Sequence, residues 1–174
     1  MRAISAQTLA GLMAGCRAPA SEPYVPRTLT ADQFQLVRAI AEHIIPETDT
    51  PGAAAARVDA FVDMMLTDFF TDAARHHFLA QLDTVDARSR AVVGNGFRES
   101  EPEDQVRVLE VLDAEAYRAD AAREDGAPFM QTMKELTVSG YYTSEVGQTE
   151  ELRIMPFGEY RADVPFDEIG RTWA

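Results

Sequence analysis

Apolar positions recur at helical spacing through most of this chain and stop doing so near Gly140. The first such run has a complete N-terminal signal. Thr30 is placed to cap a helix, Gln33 three residues later completes a capping box, and Leu29 with Phe34 can form a hydrophobic staple. Phe34, Val37, Ile40, Ala41 and Ile44 continue the stripe. Pro46 ends it, because the residue before a proline avoids the α region. The loop PETDTPGAA follows, with Pro51-Gly52 as its turn. A second helix is predicted from about Ala55 to Phe70, with Val58, Phe61, Val62, Met65, Leu66 and Phe69 on one face. Thr71 or Asp72 starts a third, with Phe78, Leu82 and Val85 inward, and Gly94-Asn95-Gly96 interrupts it. A fourth begins near Ser100, with Pro102 and Glu103 in its first turn and a stripe of Val106, Leu109, Leu112, Ala116 and Tyr117. A fifth begins near Pro128 with Phe129, Met130, Met133, Leu136 and Thr137 inward, and Gly140 suits its C-terminal stop.

Beyond Gly140 the period is lost. Gly147, Pro156, Gly158 and Pro165 read as turns, and Tyr141, Tyr142, Phe157, Tyr160, Phe166 and Trp173 are scattered among them. A tail of this length without regular pattern is uncommon inside a compact domain; such tails wrap their own domain or reach a partner. The pattern therefore predicts an all-α fold, a single helical domain of about five helices with an extended, irregular C-terminal tail. The stretch LTVSGYYTSEVG, Leu136 to Gly147, opens that tail. It reads either as a helix end folded over the core or as a contact surface, since exposed tyrosines usually have something to pack against.

Composition narrows the class. A chain of 174 residues buries roughly 70% of the surface its unfolded form exposes, so it needs no disulfide or metal to hold a core. The net charge of −13 repels phosphates and anionic membrane surfaces, which argues against nucleic acid as a partner. Cys16 is the sole cysteine, so an internal disulfide and multi-cysteine metal or iron–sulfur sites are excluded. No run of 18 apolar residues is present to span a bilayer. Residues 1–20 stand apart from 21–174: they hold Arg2 and Arg17 and no acid, around a weakly apolar middle. That is the outline of an export signal. LMAGC resembles a lipobox with Cys16 as lipid acceptor, Ala18 to Ala20 offers an ordinary cut before Ser21, and a plain N-terminal extension is the third reading. The expected location is the periplasm or a membrane-associated complex, with the cytoplasm left open. No Arg-Arg pair marks a twin-arginine signal.

Motifs for chemistry are missing. The sequence contains no G-x-S-x-G, no G-x-G-x-x-G, no Tyr-x-x-x-Lys and no C-x-x-C-H. His76 and His77 are adjacent and point about 100° apart on a helix, and His43 with Glu42 and Glu47 needs a distant donor to bind a metal. Surface or capping roles are the simpler reading. Asp59, Asp63 and Asp68 read as a solvated face, and Met64, Met65, Met130 and Met133 as core filler. No catalytic, cofactor-binding or metal-binding residue is assigned, which shifts weight toward a structural or interaction role.

The order of residues carries a resemblance. LTADQFQLVRAIAEHIIPETDTPGA, then VDAFVDMML, then MKELTVSGYYTSEVG and PFGEYRADVP, resembles the gluconate 2-dehydrogenase subunit 3 family from about Leu29 to Pro165. The resemblance implies a small, non-catalytic subunit of a flavin-dependent sugar or polyol dehydrogenase. Its partner would be a large subunit of the glucose–methanol–choline type carrying FAD, with a cytochrome c subunit as a common third member. The small subunit would help the large one fold, gain cofactor and leave the cytoplasm. Tyr141, Tyr142, Thr143, Ser144, Glu145, Pro156, Phe157, Tyr160, Phe166 and Trp173 become the expected partner interface. Two departures stand out: Arg161-Ala162-Asp163 occupy the place where the family commonly has a cysteine, and the Arg-Arg pair is absent. A free-standing helical metal-binding or enzyme domain, and an envelope lipoprotein without a dehydrogenase partner, are the alternatives. The sugar is not encoded here.

Overall fold

The computed structural model describes residues 24–118, 127–153 and 163–172. The first helix, α1 (Ala31–Ile44), begins as the sequence predicts. The Thr30 hydroxyl accepts from Gln33 N and the Gln33 side chain accepts from Thr30 N, closing the capping box. Leu36, Val37, Ile40 and Ala41 are its buried face. The loop after it is held by one carboxylate: Glu42 accepts from Glu47 N (2.9 Å) and from Ala54 N (2.8 Å), while Ala53 N reaches back to Ile45 O.

Helix α2 (Val58–Asp68) starts three residues later than the apolar pattern indicates. Arg57 sits in the left-handed region at φ 57, which no α-helix can include, and its guanidinium lies over the Tyr24 ring at 5.9 Å. Helix α3 (Asp72–Leu82) is capped by the Thr71 hydroxyl, which accepts from Ala74 N. The predicted third helix is in fact two. The chain breaks at Asp83 and Thr84, and α4 (Val85–Val93) follows, ending at Gly94. The Thr84 hydroxyl bonds to Gln81 O at 2.7 Å, so this residue closes a turn rather than continuing a helix.

Helix α5 (Pro102–Arg118) opens with Glu103 and Asp104 in its first turn, as its N-terminal dipole favours. Its inner face is rotated from the expected stripe. Val108 and Leu109 are buried, whereas Val106 and Tyr117 lie outside. The reason is that α5 packs between α4 and α6 (Phe129–Tyr142), so two neighbours set its buried arc. Helix α6 is the centre of the molecule, touching α1, α2, α3 and α5. Phe129, Met130, Met133, Leu136 and Thr137 are all buried, as their spacing predicts.

Gly140 does not stop this helix. A Cβ there would come within 2.6 Å of Phe61 Cδ1, so the glycine serves the close approach of α2 to α6, and the helix runs on to Tyr142. Among the described residues after it, two short helical turns stand where the pattern carries no period. Gly147–Glu151 forms a π-helical turn, and α7 (Phe166–Ile169) is a single short turn near the C-terminus. The fold is all-α, and no strand occurs among the described residues.

Candidate partner-binding surface

Two parts of the chain that carry its most distinctive residues, the loop around Pro51 and the stretch ending at Gly147, meet in space. Tyr141 is buried, and its hydroxyl donates to Pro51 O at 2.8 Å. The Thr50 hydroxyl donates to Glu151 at 2.7 Å. Burial pushes the Tyr141 phenol above its ordinary value, the Thr50 contact opposes this, and the Glu151 carboxylate adds to the rise. Ser144 folds the turn: its hydroxyl donates to Tyr141 O and accepts from Gly147 N. A side chain at Gly147 would overlap the Tyr141 carbonyl oxygen, so only glycine fits.

This stretch therefore splits into two roles. Tyr141, Ser144 and Gly147 build the domain itself. Tyr142, Thr143 and Glu145 face outward on the same turn. Tyr142 stands edge-on to the Tyr141 ring at 5.2 Å, which fixes its orientation while leaving it 37% exposed.

The end of the chain returns to the same corner. Arg171 reaches Asp49 at 3.3 Å and Glu151 at 3.8 Å, and Arg153 N donates to Thr172 O at 2.9 Å. Phe166 projects from this segment, 70% exposed, beside Asp167 and Glu168. Of the other expected interface residues, Pro156, Phe157, Tyr160 and Trp173 lie outside the described residues, as do Cys16 and the expected export segment.

A second constellation was misread from the sequence. Asp59 and Asp63 are not a solvated face; they are 2% and 0% exposed. Asp63 accepts from the Tyr24 hydroxyl (2.7 Å), Arg27 N (2.8 Å), Thr28 N (3.0 Å) and Leu29 N (2.8 Å), so it pins residues 24–29 against α2. Burial alone would raise its pKa. The hydrogen bonds from Arg27, Leu29, Tyr24 and Thr28 outweigh that and hold the carboxyl below the usual carboxylate range. Asp59 is paired with Arg38 at 2.9 Å. A signal was available: 59, 62, 63 and 66 follow the i, i+3, i+4, i+7 rule, so both acids fall on the buried arc of α2. Phe69, counted on the apolar face, lies at its exposed end. Asp68 does lie outside, bound to Arg27 at 2.5 Å.

The histidines do not converge. His43 Nε2 lies 2.5 Å from Gln105 Oε1, whose amide nitrogen donates to Phe97 O and Ser100 O. His76 and His77 sit on α3. No group of three or more His, Cys, Asp or Glu side chains is placed to hold a metal among the described residues, and no described helix is long and apolar enough to cross a membrane.

Compared with known proteins, residues 31–159 match the family model described as gluconate 2-dehydrogenase subunit 3. That span takes in both the Pro51 loop and the Tyr141–Gly147 turn. No curated protein and no solved structure matches the chain.

Proposed function

From a chain that belongs to the gluconate 2-dehydrogenase subunit 3 family, we propose a non-catalytic small subunit. It stabilises and matures the FAD-carrying large subunit of a sugar or polyol dehydrogenase and escorts it during export. The family match over residues 31–159 carries this reading. The chemistry of the chain supports it. Its buried carboxylates hold the fold, and its histidines join no cluster placed to bind a metal among the described residues. A few large apolar side chains face outward, among them two that suit contact with another chain. Tyr142 and Phe166 are aromatic, and aromatic side chains are enriched where proteins meet.

On this reading the hydride acceptor and the catalytic base belong to the large subunit, of the glucose–methanol–choline type, and FAD is bound there. A cytochrome c subunit completes electron transfer in the assembled complex. Tyr142, Thr143, Glu145 and Phe166 contact the large subunit on this reading, and Pro156, Phe157, Tyr160 and Trp173, outside the described residues, are its further candidate contacts. Cys16 is the lipid acceptor if the complex is anchored through this chain. The expected outcome of co-expression is direct. A large subunit produced with this chain is soluble and shows the flavin absorbance of a loaded enzyme; produced alone, it loses solubility or flavin. Equal flavin content and activity in both preparations would remove the proposal.

A further inference from the structure

Helix α5 carries a wider apolar stripe than the domain covers. Val106, Glu110, Asp113 and Tyr117 share one edge at i, i+4, i+7 and i+11, and Val106 and Tyr117 are 44% and 82% exposed there. Opposite them, α6 presents Gln131, Lys134 and Glu135. Between the two helices runs a groove with two lobes. One, of about 280 Å³, has Ile44, Val106, Leu109 and Met130 as its apolar lining. The other, of about 400 Å³, has Ala116 and Tyr117 beneath Gln131 and Glu135. The Asp113–Lys134 ion pair lines both and forms the saddle between them. Leu109 and Met130 belong to the buried core and close the floor of the groove from below, and Val106 and Tyr117 are its exposed apolar walls among the described residues.

The charge around this apolar floor is unbalanced. Among the described residues Lys134 is the one lysine or arginine lining the groove, with His43 at the edge of the smaller lobe. Lys134 is already engaged by the Asp113 carboxylate and by the Tyr117 ring, 5.5 Å away. Glu110 and Glu135 remain on the rim, with Glu135 accepting only the Gln131 amide. A second copy of this chain would bring a net charge of −13 against an acidic rim, which disfavours self-association through the groove. The fitting occupant is a segment that presents aliphatic side chains beside an arginine or lysine.

We infer that this groove between α5 and α6 seats such a basic, apolar segment of the flavoprotein large subunit. The inference rests on the function proposed above and adds the place and chemistry of the contact. It is continuous with the surface named there, because Lys134, Val138 and Tyr142 follow at i, i+4 and i+8 along α6, and Val138 is 45% exposed. The aliphatic groups of the segment fill the lobes, and its cation meets Glu110 and Glu135.

The test uses the full chain and an FAD-containing large subunit of the glucose–methanol–choline class from the same genome. Hydrogen exchange on the wild-type complex is expected to slow in the peptides covering 103–117 and 130–142. The double variant V106E/Y117E, altered only at exposed side chains, is expected to keep its melting temperature and bind the large subunit roughly tenfold more weakly or worse. E110Q/E135Q is expected to bind about threefold more weakly and to show a flatter salt dependence. If the wild-type chain binds but the groove stays unprotected and V106E/Y117E binds equally well, this inference is overturned and the accessory-subunit reading stands. If the wild-type chain does not bind the flavoprotein at all, both fall. A concentration-dependent homodimer of the free chain that V106E/Y117E abolishes also overturns the inference, assigning the groove to a second copy.

Discussion

At the scale of single residues, Asp63 does the most. It replaces water with four hydrogen-bond donors and fastens residues 24–29, which form no helix, onto α2. Asp63→Asn keeps the shape but turns one acceptor into a donor facing backbone N–H groups. The expected cost is about 1–3 kcal/mol, read as a lower urea midpoint. The pH dependence follows from the depressed pKa. In the unfolded chain the group titrates near an ordinary aspartate, about 3.9. Its stabilisation is complete above that value and is lost as pH falls through the lower folded-state value. Wild-type stability should therefore drop over this acid window by more than that of Asp63→Asn, and equal slopes would contradict the assignment. Sequence reasoning missed this site because it sorted α2 by hydrophobicity. A buried carboxylate is tolerated only where donors come from elsewhere, and here they come from Tyr24 to Leu29, more than thirty residues away.

At the scale of elements, α6 is the piece around which the others are arranged. Its crossing with α2 depends on the absent side chain of Gly140. Gly140→Val places methyl groups into the Phe61 ring, with an expected loss of about 1–3 kcal/mol in chemical denaturation, and Phe61→Ala in the same chain should recover part of it. Helix starts were legible here because their determinants are local: Thr30 with Gln33, Thr71 with Ala74, Pro102 ahead of two acids. Helix ends and breaks were less so. A glycine near the end of an apolar stripe reads as a stop, yet Gly140 answers to a ring on another helix. The break at Asp83 and Thr84 interrupts an unbroken apolar pattern, and Arg57 takes a left-handed conformation that its residue type does not announce. Gly140 and Arg57 meet tertiary neighbours, Phe61 and Tyr24, and Thr84 closes a local turn on Gln81; periodicity encodes none of these contacts.

At the scale of the whole molecule, the two most distinctive sequence blocks turn out to be one corner of the structure, joined by Tyr141 to Pro51 and by Thr50 to Glu151. Part of what makes the family recognisable is thus internal architecture. Outward-facing members of the corner are where binding is expected. Phe166→Asp alters a side chain that supports little of the core. Its melting temperature should match wild type, while affinity for the flavoprotein falls roughly tenfold by titration calorimetry. Tyr141 follows Met133 and Thr137 at i+8 and i+4, so its burial was legible once the helix is carried past Gly140; reading Gly140 as a stop hid it and left Tyr141 and Tyr142 looking alike. The Asp113–Lys134 pair has a further consequence, because Lys134 is the only lysine in the chain. Reagents that acylate primary amines find a single side-chain address, at the saddle where α5 meets α6. A dye, cross-linker or surface coupled there would cancel the positive partner of Asp113 and lift the cation from the Tyr117 ring, so lysine-directed labelling modifies the very feature it is meant to report on.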